Sequence, residues 1–573
     1  MGSSVAETLA AALRRHGVSD VFGQSLPSLL FLSTPAHSIR QVVYRTENAG
    51  GAMADGYARV SGKVGVVAAQ NGPAATLLVP PLAEAFKASV PVLAIVQEVP
   101  QASRNRNAFQ ELDHVKLFAA CAKAIHRIDD PARVDDYVDA AMTEATSGRP
   151  GPVVLLIPKD VLAQSVPDSS PRRANYGRFP LDRYLPGPDQ IHLVAELLAT
   201  ARRPLLVAGG GVHRSGATAE LAELQQLASL PVATTAMGKG SVDETHPLSV
   251  GVVGYAMGVN GATRHARGLV EQADVIVFVG TRTNENATDG WRLFPPRATY
   301  VHLDVDPVEV GRNYEAVRLI GDAKVTLRAV IDALGDRALD ARSAAREQVE
   351  AQIAAARDAH DAEARGVVHS DAAPLRPERI MHELDTRLGP DSIVVADASY
   401  SSVWMCNFLH ARRVGQRFLA PRGLAGLGWG VPMALGAKAA HPESPVIAIV
   451  GDGGFAHCWS EIETSVRMDL PITVLVLNNS ILGYQKHSEL FQFAIHTDAI
   501  EFSPVNHAAV AQACGARGVH VGCVTELESA LTEAISARIT TVIDVITDPD
   551  AYPPITAWDG NATLADLIET RRS

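Results

Sequence analysis

Cysteine, positive charge, aromatic rings and long apolar runs are all scarce in these 573 residues. There are five cysteines, Cys121, Cys406, Cys458, Cys514 and Cys523, and no two are spaced as CxxC. That excludes a disulfide scaffold and a thiolate zinc site, and it suits a reducing, cytoplasmic setting. Lys and Arg number 51 against 63 Asp and Glu, a net charge of −12. This is the wrong sign for a surface that reads nucleic-acid phosphates, so no nucleic-acid partner is expected. No apolar run approaches the roughly 18 residues of a membrane span. The N-terminal MGSSVAETLAAALRRHG is an amphipathic helix pattern without the basic and apolar regions of a signal peptide. No membrane partner is expected either. Aromatic residues make up only 5%, whereas glycine and alanine abound, which suits close helix-on-sheet packing and loops that approach a ligand.

The balance of 47% apolar and 20% charged residues is that of a globular chain. At roughly 100–200 residues per domain, the length predicts three or four domains. Short apolar runs at 64–69, 90–96, 153–157, 204–208, 275–279, 300–303, 393–396, 446–450 and 472–477 alternate with helix-like stretches. Such runs read as strands buried on both faces of parallel sheets, so the class is α/β, doubly wound. Two linker-like stretches, 167–188 and about 336–377, divide the chain. The second contains an Ala/Glu/Arg/Gln-rich run that reads as a solvated helix. The expected organisation is three parallel-sheet domains at 1–165, 190–335 and 375–550, with a tail at 551–573. No short-period repeat is present.

The strongest local signal is GDGGFAHCWSEIETSVRMDLPITVLVLNNS, residues 451–480. A strand ends at Gly451-Asp452-Gly453, a helix follows, and a second strand ends at Asn478-Asn479. Both polar clusters then stand at carboxyl ends of parallel strands, where α/β sheets bind ligands. Asp452 and Asn479 offer oxygen ligands of the kind Mg²⁺ takes, completed by phosphate oxygens and water. The plain alternative is two unconnected tight turns.

This segment resembles the cofactor motif of thiamine-diphosphate enzymes such as acetolactate synthase, oxalyl-CoA decarboxylase and pyruvate decarboxylase. The resemblance implies that Asp452, Asn479 and the main-chain carbonyl of Ile481 hold Mg²⁺, which clamps the diphosphate beside Gly451, Gly453 and Gly454. A second stretch, RTENAGGAMADGYARVSGK at 45–63, resembles the same family's glutamate motif. By itself Glu47 is an ordinary first-turn acid favoured by a helix N-terminus. The resemblance makes it the partner of the cofactor's pyrimidine N1′. A carboxylate there favours the protonated ring, hence the imino tautomer that removes the thiazolium C2 proton.

Further expectations rest on the resemblance. Leu427, in the glycine-rich run 422–432, stands where acetolactate synthases carry Met under the bent cofactor. The stretch Ala396-Asp397-Ala398-Ser399-Tyr400-Ser401-Ser402 follows a strand and starts a helix whose N-terminus suits the diphosphate, with Ser399, Tyr400 and Ser401 at the cofactor, or forms a simple N-cap. The family often has Gly-Gln-His there. Gln24 and Asn71 are expected at the cofactor, Gln110 near the reacting carbon, and Ser25, Gln70 and Phe109 around the substrate. Tyr484 and His487 would roof the substrate, with Glu489 as a proton relay. Ser488 replaces the Trp of biosynthetic synthases, and there is no adjacent His-His pair, which argues against a pyruvate-decarboxylase-type site. For Lys486, His487 and Glu489 a solvated polar face is the alternative.

In the middle segment Gly209-Gly210-Gly211, Gly280-Thr281-Arg282 and Asp304 occupy phosphate-turn and ribose-acid positions. Relatives keep FAD or ADP there, the latter often CoA-linked, or nothing. Arg282-Thr283-Asn284-Glu285-Asn286 departs from the synthase pattern Arg-Phe-Asp-Asp-Arg. The function expected is C–C bond cleavage or carboligation on a 2-oxo acid. The runner-up is a 2-hydroxyacyl-CoA lyase releasing formyl-CoA and a carbonyl compound, and a nucleotide-binding regulatory protein is a third reading. Substrates would be a 2-oxo acid, an aldehyde or ketone, or an acyl-CoA. The resemblance implies a homodimer at minimum and a homotetramer by preference, Glu47 of one subunit meeting the cofactor held by another.

Overall fold

The computed structural model describes residues 3–167 and 172–558. The expected tail therefore lies outside the described residues from position 559 onward. Among the described residues, eighteen strands form three six-stranded sheets in which every pairing is parallel. The first contains Asp20–Gly23 (β1), Arg40–Val42 (β2), Gly65–Ala69 (β3), Val92–Glu98 (β4), Ala124–Arg127 (β5) and Val153–Pro158 (β6), in spatial order β2-β1-β3-β4-β6-β5. All seven residues of β4 are buried, the continuous burial of a central strand covered by helices on both faces.

The second sheet holds Pro204–Ala208 (β7), Val232–Thr234 (β8), Ser249–Val252 (β9), Val275–Val279 (β10), Thr299–Asp304 (β11) and Ala316–Ile320 (β12), ordered β12-β11-β10-β7-β8-β9. Counted from its own first strand, that is the 3-2-1-4-5-6 order of dinucleotide-binding sheets. The third holds Ile393–Ala396 (β13), Phe418–Leu419 (β14), Val446–Gly451 (β15), Thr473–Asn478 (β16), Arg517–Val521 (β17) and Thr541–Ile546 (β18), ordered β14-β13-β15-β16-β18-β17. This repeats the order of the first sheet strand for strand.

The Ala/Glu/Arg/Gln-rich run is one 29-residue helix, Asp340–Val368. It is not solvated all round. It buries Arg342, Ile353, Ala356, His360 and Ala364 along one stripe. The Arg342 guanidinium, 1% exposed, donates to the carbonyls of Ala201, Arg202, Ala228 and Ser229 at 2.9–3.4 Å. Those carbonyls follow helices Pro188–Thr200 and Thr218–Leu227, whose ends need donors and favour a cation.

The first and third sheets meet through helices Glu47–Ser61 and Gly430–Ala440. Glycines set their closeness. A Cβ on Gly56 would lie 2.2 Å from the Met433 carbonyl oxygen, and one on Gly436 would lie 1.9 Å from that of Met53. Beside this crossing, buried Arg59 pairs with Asp55 at 2.5 Å and with Glu84 at 3.2 Å. Glu84 in turn accepts the main-chain N–H groups of Gly423 (2.8 Å) and Leu424 (2.6 Å), holding the glycine-rich run of the third sheet. No helix among the described residues is long and apolar enough to cross a membrane.

Candidate active site

A cleft of about 510 Å³ opens at the carboxyl edge of the third sheet. Gly451 ends β15 and Asp452 opens the helix Asp452–Ala456. Asn479 follows β16, Ser399 follows β13, and Thr547 follows β18, so four strand ends converge on one cavity. Ser401, Leu427, Gly453, Gly454, Ile481, Tyr484 and His487 line it as well. Tyr255 reaches it from the central sheet.

Asp452 is buried. One of its oxygens accepts the N–H of Gly453 (2.9 Å), the other that of Ser480 (2.6 Å). Burial pushes its pKa up to about 6, and no basic side chain is among the groups that act on it most strongly. A buried carboxylate without a countercharge fits a cation. Among the described residues no group of three or more His, Cys, Asp or Glu is arranged to hold a metal. Asp452, the Asn479 amide and main-chain carbonyls of the same cleft are hard oxygen donors, of the kind that Mg²⁺ takes together with oxygens brought by a ligand. The Asn479 side-chain oxygen accepts the Ile481 N–H at 3.2 Å, tightening the turn in which Ser480 has φ 55°.

Asp397, 1% exposed, lies in the stretch expected at the diphosphate, but its side chain organises the glycine-rich turn instead, a role the sequence did not signal. Its carboxylate accepts the N–H groups of Ala398 (2.9 Å), Gly428 (2.9 Å), Trp429 (3.2 Å) and Gly430 (3.3 Å). It thereby fixes the turn that presents Leu427. A Cβ on Gly454 would lie 2.1 Å from an Asp397 carboxylate oxygen, so the last glycine of Gly453-Gly454 is required by packing. Only its position one residue after β13 could have signalled that role.

The simple N-cap reading of Ser399 does not hold. Its side chain makes no capping bond, and its backbone lies at φ 63°, ψ −140°, a region that favours glycine. Ser399 is thus a strained turn facing the cleft, at the position where the family often has Gly. The Tyr400 hydroxyl lies 2.7 Å from Nδ1 of buried His487. His487 stacks on Tyr552 at 3.8 Å, and burial holds its pKa down to about 4, so it is neutral. The solvated-face alternative therefore fails for His487. Glu489 behaves differently: it accepts the Thr497 N–H at 2.7 Å and does not line the cleft.

The residues expected from the first sheet share a second edge. Gln24 follows β1, Glu47 follows β2 and opens the helix Glu47–Ser61, Gln70-Asn71 follow β3, and Phe109-Gln110 come after β4. All stand on the carboxyl edge of four adjacent strands. Gln70 donates to the Gln110 side chain (3.0 Å), Asn71 to the Gln110 carbonyl (2.9 Å), and Gln24 to the Arg45 carbonyl (2.9 Å). Ser25 is exposed, and Phe109 is 86% exposed. None of these residues lines the Asp452 cleft of the same chain. The structure groups each set but does not bring the two sets together within one chain.

A second cleft lies on the central sheet, lined by Gly210, Gly211, Gly280, Thr281, Arg282 and Asp304. The two glycine turns pack on each other: a Cβ on Gly211 would lie 2.6 Å from Gly280 Cα. Burial raises Asp304 to about 6 and lowers Arg214 to about 9. Tyr255, Asn286 and Arg422 line both this cleft and the Asp452 cleft, so the two adjoin. Arg422 donates to Ser402 Oγ at 2.5 Å and to the Tyr255 hydroxyl.

Three family models match in chain order: the N-terminal TPP binding domain of thiamine pyrophosphate enzymes at residues 3–117, their central domain at 191–330, and their C-terminal TPP binding domain at 397–545. The chain is 33% identical to a probable acetolactate synthase large subunit of Methanocaldococcus jannaschii, over 97% of this chain and 94% of that protein. It is 33% identical to an acetolactate synthase of Arthrospira platensis, over 97% and 96% respectively. It is 31% identical to the acetolactate synthase large subunit IlvB1 of Mycobacterium tuberculosis, over 97% and 90%. With three models of one family matched in chain order and the similarity to its members running nearly end to end, this chain belongs to the thiamine pyrophosphate enzyme family.

Proposed function

We propose that this enzyme uses thiamine diphosphate and Mg²⁺ to make or break a C–C bond beside a carbonyl, acting on a 2-oxo acid as an acetolactate-synthase-like carboligase. One observation carries the reading: Asp452 and Asn479 on one sheet, and Glu47 on another of identical strand order, all sit at carboxyl edges. Asp452, Asn479 and the Ile481 carbonyl would hold the metal, the Ser399–Ser401 turn the diphosphate, and Leu427 the bend of the cofactor. The bound cofactor supplies a carbon nucleophile. The chain's own part is to hold a proton at the pyrimidine through Glu47, to hold the anion against a net charge of −12, and to shape the substrate wall with Tyr484 and His487.

Glu47 stands outside the Asp452 cleft of its own chain, which supports a homodimer in which each first-sheet edge covers the partner's cleft. The exposed Leu29, Leu32, Leu77, Phe109, Leu112 and Val115 all follow strands of that edge and support the same arrangement. Pairs of dimers would give the tetramer. The central cleft is read as a nucleotide site for FAD or ADP, and the nucleotide released on denaturing the purified protein identifies its occupant.

The second reading, a 2-hydroxyacyl-CoA lyase, is favoured by the contact between the central and Asp452 clefts and by Ser488 in place of a Trp. Turnover of pyruvate with acyloin detection, run against cleavage of 2-hydroxyacyl thioesters, separates the two. Glu47→Gln should fold normally and lose at least about a hundredfold in turnover. Full turnover by that variant would remove the assignment.

A further inference from the structure

Glu461 stands in the first turn of the helix Ser460–Arg467, shortly after the helix that Asp452 opens. It is 0% exposed. Its carboxylate accepts the N–H of Arg45 on both oxygens (3.1 and 3.2 Å), the N–H of Thr46 (3.1 Å) and the hydroxyl of Thr464 (2.8 Å). Those two amides belong to the two residues immediately before Glu47. On the other side, the Trp429 indole N–H donates to the Asn48 side chain at 3.1 Å. Trp429 is two residues from Leu427, and its own amide ends on Asp397. Glu47 is thus bracketed, residue by residue, by two side chains of the third sheet.

Docking alone does not call for Glu461. The same helix is also tied to the β2 segment by Arg45 to Glu463 (2.8 Å) and by Arg467 to the Val43 carbonyl (2.8 Å), both at partly exposed positions. A fully buried carboxylate satisfied by amides and a hydroxyl is costly to bury, and its use here is local precision. We propose that Glu461 is a positioning residue for Glu47: it fixes the peptide from which Glu47 projects and ties it to the helix Ser460–Arg467 of the same chain, which follows the Asp452 turn. This rests on the reading of Glu47 as the pyrimidine partner. In the proposed dimer, the chain that holds one cofactor by its diphosphate would then set the geometry of the glutamate that serves the other.

The test uses holoenzyme loaded with thiamine diphosphate and Mg²⁺. The readout is exchange of the cofactor's C2 proton for deuterium, measured by NMR after acid quench, together with cofactor affinity by titration. Glu461→Gln is expected to slow exchange and kcat about tenfold to a hundredfold, because a small misplacement of a reacting group has that effect. Cofactor affinity should change less than about threefold. Glu47→Gln should slow exchange at least as much, and the double variant should be no slower than Glu47→Gln, since the two act as a unit. Glu463→Gln should stay near wild type. Wild-type exchange in Glu461→Gln, with slow exchange in Glu47→Gln, overturns the proposal. Wild-type exchange in Glu47→Gln instead overturns the reading beneath it. Should Glu461→Gln not fold, Thr464→Val, which removes only the hydroxyl donor to the same carboxylate, takes its place. At least a threefold drop is then expected, and a wild-type rate overturns the proposal.

Discussion

His302, 2% exposed at the heart of the central sheet, has its protonation state dictated by its neighbours. Nε2 faces the Thr281 carbonyl at 2.8 Å and must donate; Nδ1 receives the Gly311 N–H at 3.2 Å and must accept. Only the neutral ring does both, and burial holds its pKa down to about 4. The unfolded chain, with an ordinary imidazole, takes up its proton first. Stability from this residue is therefore complete above about pH 6.5 and lost as the pH falls toward 4, by up to roughly 3 kcal/mol. Denaturant melts at pH 7 and pH 5 should show a smaller difference in His302→Gln than in the parent chain. At this scale the placement of Asp452 and Asn479 at neighbouring strand ends of one cleft was legible, because each follows an apolar strand within one motif. The roles of Asp397, Glu461 and Tyr255 were not. Glu461 looks like any first-turn acid, and Tyr255 reaches the Asp452 cleft only because the central sheet leans on the third.

Among the elements, the crossing of Glu47–Ser61 on Gly430–Ala440 sets the closest tolerance. Gly436→Ala puts a methyl 1.9 Å from the Met53 carbonyl oxygen, a backbone atom that cannot swing aside. The expected cost is about 1–3 kcal/mol or more, read as a lower denaturant midpoint, against little change for Gly366→Ala, which meets nothing within 4 Å. Central strands such as β7, β10 and β13 were legible to the residue, since their burial makes them unbroken apolar runs. Two of the edge strands were not. All four residues of β5 are only half-buried, and β14 has two residues, so neither leaves a run to read. The Asp340–Val368 helix looked solvated for a related reason. Its buried stripe is narrow and begins with an arginine whose role is to cap other helices.

For the molecule as a whole, the first and third sheets share one strand order while their sequences show no repeat. Topology conserves where strands go, and the side chains at each strand end have different work. That is why three domains were readable from linkers and composition, but the kinship of two of them was not. The exposed edge of the first sheet yields a prediction at this scale. Leu32→Asp with Phe109→Glu, at positions 76% and 86% exposed, should leave the monomer folded by circular dichroism. Light scattering should show loss of the dimer and, with it, of activity. A dimer that persists with normal activity would place the interface elsewhere.

The glycine crossing also bears on how ligands come and go. Two helices whose backbones touch through Gly56 and Gly436 have no slack for a hinge, because close-packed contacts resist gradual deformation. First and third sheets of a chain then travel as one body. On the proposed function, admission of substrate would fall to cleft walls away from this crossing: the Gly483–Phe493 helix on one side, and the Tyr255 wall of the central sheet on the other. Turnover limited by such a gate would respond to solvent viscosity, whereas the C2 proton exchange proposed to depend on Glu47 and Glu461 would not.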